Sequence, residues 1–129
     1  TPPLYLFIRG TFTAADQLSI AIVGTRHATH YGRTVAETLS RGLARAGFTI
    51  VSGLARGIDA IAHRAALEVQ GRTIAFLGSS VTSIYPSEHS DLADQIEQNG
   101  VVVSETHPFM KPKAGVFPQR NRLISGMSL

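Results

Sequence analysis

The chain contains no cysteine. A disulfide framework and thiolate metal sites are therefore excluded, and a reducing compartment fits by default. No apolar run approaches the roughly 20 residues that a membrane helix needs. The first residues lack a charged region followed by an apolar one, so no signal peptide is expected. Charge is sparse: 16% of residues are charged against 43% hydrophobic, the balance of a globular chain and not of a disordered one. Two phosphate-site signatures are missing as well. The stretch "GTRHATHYG" lacks the second glycine of G-x-G-x-x-G, and no G-x-x-x-x-G-K-[ST] occurs. Ordinary dinucleotide and nucleoside triphosphate sites are both disfavoured.

With 129 residues, the chain has room for one domain with a real core. Four segments share one grammar: "SIAIVG" (19–24), "GFTIVSG" (47–53), "GRTIAFLG" (71–78) and "GVVVSE" (100–105). Unbroken apolar runs of this kind suit strands covered on both faces, as in a parallel sheet. Helical patterns lie between them. Val35, Leu39 and Leu43 form one apolar stripe, Ile58, Ile61, Ala62, Ala65 and Val69 a second, Leu92 and Ile96 a weaker third. The spacing predicts strands over 19–24, 48–52, 72–77 and 101–104, and helices over 32–46, 57–70, 87–99 and 118–126. The expected fold class is α/β: a doubly wound, mostly parallel sheet with helices on both faces, of the extended Rossmann-like kind. Residues 1–18 read as a lead-in whose "LYLFIRG" offers an edge strand. Residues 19–129 read as the Rossmann-like domain with its C-terminal strands missing, so the chain is expected to be a fragment.

Ligands of open parallel sheets bind beyond the carboxyl ends of the strands. Six of the twelve Lys and Arg residues fall in those loops or just after them: Arg26, Arg56, Lys111, Lys113, Arg120 and Arg122. The third helix carries Glu88, Asp91, Asp94 and Glu97. The net charge is only +3, but its placement makes the binding edge basic.

Each motif has a plain reading beside a functional one. "VGTR" (23–26) is either a tight turn with a solvated arginine, or backbone N–H groups and Arg26 holding a phosphate. "SGLARGID" (52–59) sets two glycines around Arg56 at a strand–helix junction, which favours an anion site. Asp59 in the first helical turn suits the helix dipole but opposes a phosphate at that helix end, so an anion is expected to lean on Arg26 and Arg56. Ser52, Asp59 and His63 make a poor Ser-His-Asp set, because no G-x-S-x-G elbow exists. His27 and His30 lack a carboxylate or cysteine at ligand spacing, so no metal site is expected. "FPQRN" (117–121) is either a hydrophobic staple before a Pro-started helix, or an aromatic platform for a base beside an arginine.

Together, "AIVGTRHATHYG" (21–32), "IVSGLARGIDAIAHRAAL" (50–67), "TIAFLGSSVTSIYPSEHSDLADQI" (73–96), "VVVSE" (101–105) and "FPQRNRLISGMS" (117–128) resemble the DNA-processing protein A family (DprA, also called Smf) in order and spacing. The resemblance covers almost the whole chain. It implies a bacterial cytoplasmic protein that binds single-stranded DNA, forms homodimers, protects incoming strands during natural transformation and helps load a RecA-type recombinase. It implies neither an enzyme nor a cofactor, and no membrane. It marks Gly24, Thr25 and Arg26 in the first loop as DNA-contacting or pocket-shaping. It marks Ser52, Gly53, Arg56 and Gly57 likewise in the second loop, and Phe117, Arg120, Asn121 and Arg122 in the last. Thr25 replaces a more usual serine, and "GSSVTSIYP" replaces a more glycine-rich loop. For self-association, Leu123, Ile124, Met127 and Leu129 offer an apolar surface.

The rival is an enzyme: a nucleotide phosphoribohydrolase of the lysine decarboxylase-like type, on a similar fold. Its mark is P-G-G-x-G-T-x-x-E, and nothing in the chain matches it.

Overall fold

The computed structural model describes residues 5–107. Five strands form one sheet: β1 (Phe7–Gly10), β2 (Ser19–Ala21), β3 (Thr49–Ser52), β4 (Thr73–Phe76) and β5 (Val101–Ser104). Three helices connect them: α1 (His30–Arg45), α2 (Ile58–Glu68) and α3 (Ser90–Asn99). The spatial order is β1-β5-β4-β3-β2. Strands β2 to β5 are mutually parallel, and β1 pairs antiparallel with β5 along the edge.

Every residue of β3, β4 and β5 is buried. This is why their sequences run apolar without alternation, as expected for a parallel sheet. Because β2 to β5 follow one another in chain order, right-handed crossovers bring all three described helices to one face. Ile22 and Ile50 pack there against Ala36 and Ala44 of α1 and Ala62 and Ala66 of α2. Ala75 and Val102 pack against Leu92, Ala93 and Ile96 of α3. On the opposite face Val51, Ile74, Phe76, Val101 and Val103 form a cluster of strand residues alone, and no described helix lies on them. The helix expected over 118–126 lies outside the described residues.

Helix α1 corrects one expectation. Val35 and Leu39 were expected to face the core, yet they are exposed, and so is Tyr31 one turn earlier. The buried positions are Ala36, Ser40 and Ala44. Small residues let α1 approach the alanine-rich flank of α2; of the large apolar stripe Val35 and Leu39 are left on the outside, and Leu43 alone packs against the core. The helix also starts two residues earlier than expected, where the Thr29 hydroxyl accepts a hydrogen bond from Gly32 N at 3.0 Å.

Two ionic clamps fix the edges. Arg9 of β1 reaches Asp94 and Glu97 of α3, both at 2.7 Å, and donates to the Val81 carbonyl at 3.0 Å. Arg72 grips the buried Asp16 through Nε and Nη2 at 2.8 and 2.9 Å. Burial opposes the Asp16 charge, but hydrogen bonds from Arg72, Thr13 N and Thr49 outweigh it and hold the carboxyl below its ordinary value.

Candidate functional site

The loops after β2 and β3 meet at the carboxyl edge of the sheet and interlock. The Ser52 hydroxyl, wholly buried, donates to the Ile22 carbonyl. Asp59, in the first turn of α2, is only 2% exposed. Its Oδ2 accepts from Gly53 N at 3.1 Å and its Oδ1 from Gly24 N at 3.4 Å. One carboxylate thus braces both loops. Of the loop amides that one reading offered to a phosphate, those of Gly24 and Gly53 already point at Asp59. These two amides are therefore engaged within the protein.

Glycine is required where the loops touch. Gly57 sits at φ +81°, and a Cβ there would lie 2.6 Å from both Arg26 Cα and Thr25 O. A Cβ on Gly24 would meet Ile58 Cγ1 at 2.9 Å. Ile58 N donates to the Thr25 carbonyl at 3.4 Å, and the Thr25 hydroxyl accepts from His27 N at 3.1 Å. Leu54, fully buried, takes a left-handed φ of 62°, a conformation a branched side chain rarely adopts. Its carbonyl accepts from His89 Nδ1 at 2.7 Å. His89 lies in the short 3₁₀ turn Ser87–His89 that precedes α3, so this turn holds the strained loop from below.

The interlock brings Arg26 and Arg56 to one cavity of about 200 Å³, lined also by Ala55, Tyr85 and Pro86. Arg56 donates from Nε and Nη2 to the two oxygens of Glu88, at 2.9 and 3.0 Å. Hydrogen bonding to Glu88, then to Tyr85, raises the Arg56 pKa, and the same pairing pulls Glu88 down to about 2. Both groups are therefore charged at any physiological pH. Arg26 is exposed and has no ion pair among the described residues. A second hollow, about 480 Å³ between α2 and α3, is lined by Glu68, Glu88 and Asp91 with Arg64 as its one cation. Its charge disfavours an anion, so of these two hollows the one at Arg26 and Arg56 is the more basic.

The buried polar groups next to the site do not form a catalytic set. Ser52, Asp59 and His63 each bond elsewhere. Thr73 gives its one hydroxyl proton to the Ile50 carbonyl at 2.8 Å, so at 2.6 Å it must accept from His63 Nδ1. His63 is thus the neutral Nδ1–H tautomer. Its Nε2 is buried without a hydrogen-bond partner among the described residues, and a proton there would be an unsolvated charge. Burial, with His89 and Arg64 as lesser causes, pushes its pKa down to about 3. Among the described residues, no three metal-ligating side chains cluster, and no helix is long and apolar enough to cross a membrane.

Of the residues singled out in the sequence, Gly24, Thr25, Arg26, Ser52, Gly53, Arg56 and Gly57 come together in this one site. Ser52 is a brace within it, inaccessible to a ligand. Phe117, Arg120, Asn121 and Arg122 lie outside the described residues, as do Leu123, Ile124, Met127 and Leu129. Two members of the site were not foreseen: Tyr85, inside the 78–86 loop, and Glu88 as the partner of Arg56. An aromatic followed by proline in a strand-end loop is the signal that could have flagged Tyr85.

Comparison with known proteins bears on this arrangement. The family model for DNA recombination-mediator protein A matches residues 1–129. The chain is 43% identical over 128 residues to the DNA processing protein DprA of Bacillus subtilis, covering 98% of this chain and 43% of that protein. It is 45% identical over 127 residues to the Smf protein of Escherichia coli, of which it covers 34%. It therefore spans less than half the length of these relatives. Among solved structures, DNA processing protein A of Helicobacter pylori, described for its single-stranded DNA binding mode, superposes with a TM-score of 0.90 at 39% identity. That match covers 99% of this chain and 59% of the other. The Streptococcus pneumoniae DprA structure gives 0.91 at 38% identity, over 98% and 44%.

Proposed function

The chain belongs to the DNA recombination-mediator protein A family, and on that premise we propose that it binds the sugar-phosphate backbone of single-stranded DNA with little sequence preference. One observation carries the proposal: Arg26 and Arg56, from the ends of two different strands, line one cavity that also presents an aromatic ring. Two guanidiniums spaced along a strand-end groove suit successive phosphates better than one terminal phosphate. The four motif residues at 117–122 extend the same interface in this proposal.

The protein acts as a carrier of single strands and not as an enzyme. It protects incoming DNA in the bacterial cytoplasm, works as a homodimer and delivers the strand to a RecA-type recombinase. The phosphoribohydrolase alternative has less support, since Glu105 is the only acid in the late loops and the P-G-G-x-G-T-x-x-E stretch is missing.

Equilibrium binding of a labelled single strand and a blunt duplex of equal length tests the proposal, alongside an assay for hydrolysis of nucleoside monophosphates. The single strand is expected to bind more tightly, with no turnover. Equal affinity for both DNAs contradicts the proposal, and turnover abolished by Glu105→Ala favours the enzyme.

A further inference from the structure

We propose that the Tyr85–Pro86 side of the cavity is a subsite for one unpaired nucleobase, with the neighbouring phosphate on Arg26 and Arg56. This rests on the single-strand proposal above and adds a base-contacting surface to it. The cavity has two chemistries side by side: an apolar wall of Ala55, Tyr85 and Pro86, and the guanidiniums of Arg26 and Arg56. A bare phosphate needs only the second. A nucleotide presents a flat apolar base next to a charge, and matches both.

The wall is held in place before any ligand arrives. Pro86 is buried, and Tyr85 N donates to the buried Ser79 hydroxyl at 3.2 Å. The Tyr85 side chain nevertheless stays 45% exposed. Arg56 lies over the Tyr85 ring at a distance. Its Cζ lies 5.9 Å from the ring centroid, near the outer limit of a cation–π contact. Its Nε and Nη2 are engaged by Glu88. A guanidinium has five N–H donors in a rigid fork, so three remain beyond the Glu88 pair, for Tyr85 and for a phosphate. Glu88 is in this sense a positioning residue: it fixes the fork and holds it at that distance from the ring. A base in a duplex is already stacked and paired and cannot enter, so the ring itself selects for unpaired strands.

The test compares an oligothymidylate 20-mer with an abasic strand of equal phosphate count, each binding to the protein and to its Tyr85→Ala and Tyr85→Phe variants. Tyr85→Ala is expected to weaken the thymidine strand roughly 5- to 150-fold, to leave the abasic strand nearly unchanged, and so to erase most of the preference for bases. Tyr85→Phe should keep it. A second readout does not depend on affinity. The chain has no tryptophan, so Tyr85→Trp gives one reporter, whose emission should be quenched by the thymidine strand and not by the abasic one. An equal loss on both strands, or an unchanged preference in Tyr85→Ala, overturns the subsite while leaving the single-strand proposal standing. Failure of the unaltered protein to bind either strand overturns that proposal first, and the subsite with it.

Discussion

Gly57 and Arg26 meet backbone to backbone: a Cβ on Gly57 would sit 2.6 Å from Arg26 Cα, at a φ of +81°. The second loop therefore packs directly under Arg26, which has no ion pair among the described residues. The position of Arg26 is set partly by a glycine 31 positions away.

Gly57→Ala should destabilise the protein by about 2 kcal/mol or more, since strained backbone alone costs roughly 1–3 kcal/mol, and it should displace Arg26. Gly24→Ala meets the Ile58 side chain instead, which can shift in part, and should cost less. Urea unfolding and single-strand binding of the two variants check the order. Equal stability of the unaltered protein and Gly57→Ala would contradict the interlock.

Asp59→Ala removes the acceptor shared by Gly24 N and Gly53 N. Gly53 is buried and Gly24 exposed; leaving a buried donor unsatisfied costs about 1–3 kcal/mol, so a loss in that range is expected, with faster amide exchange confined to the two loops. Exchange unchanged at Gly24 and Gly53 would show that the carboxylate is not their brace.

His63 predicts an acid-sensitive stability. Its folded pKa is pushed to about 3 from 6.5. Below pH 6.5 the unfolded chain takes up a proton there and the native protein does not. Stability is therefore highest above pH 6.5 and falls as the pH drops toward 3, by up to about 1.4 kcal/mol per pH unit from this group. His63→Gln should flatten the dependence between pH 6.5 and 4. Denaturant midpoints across that range measure it, and a slope unchanged in the variant would contradict the assignment.

Much of the fold was legible because its strands are covered on both faces, and unbroken apolar runs such as "TIVSG" and "TIAFL" say so directly. The convergence of Arg26 and Arg56 was legible for a similar reason: each follows a strand, and the ends of parallel strands share one edge. Long-range choices were not legible. Helical periodicity in α1 gives the spacing of Val35 and Leu39 but not the neighbour, and the neighbour is an alanine-rich helix that admits only Ala36, Ser40 and Ala44. The dual role of Asp59 depends on two loops 29 residues apart arriving at one carboxylate. Nothing local to Arg56 points to Glu88, which lies 32 residues on.

The salt dependence of single-strand binding tests the central claim most directly. If about four phosphates are neutralised, at roughly −0.7 per contact, the log–log slope should be near −3. The Arg26→Ala, Arg56→Ala double variant should bring it to about −1.4 and weaken oligonucleotides of every sequence alike. A double variant with the slope and affinity of the unaltered protein would show that this cavity does not hold the DNA backbone.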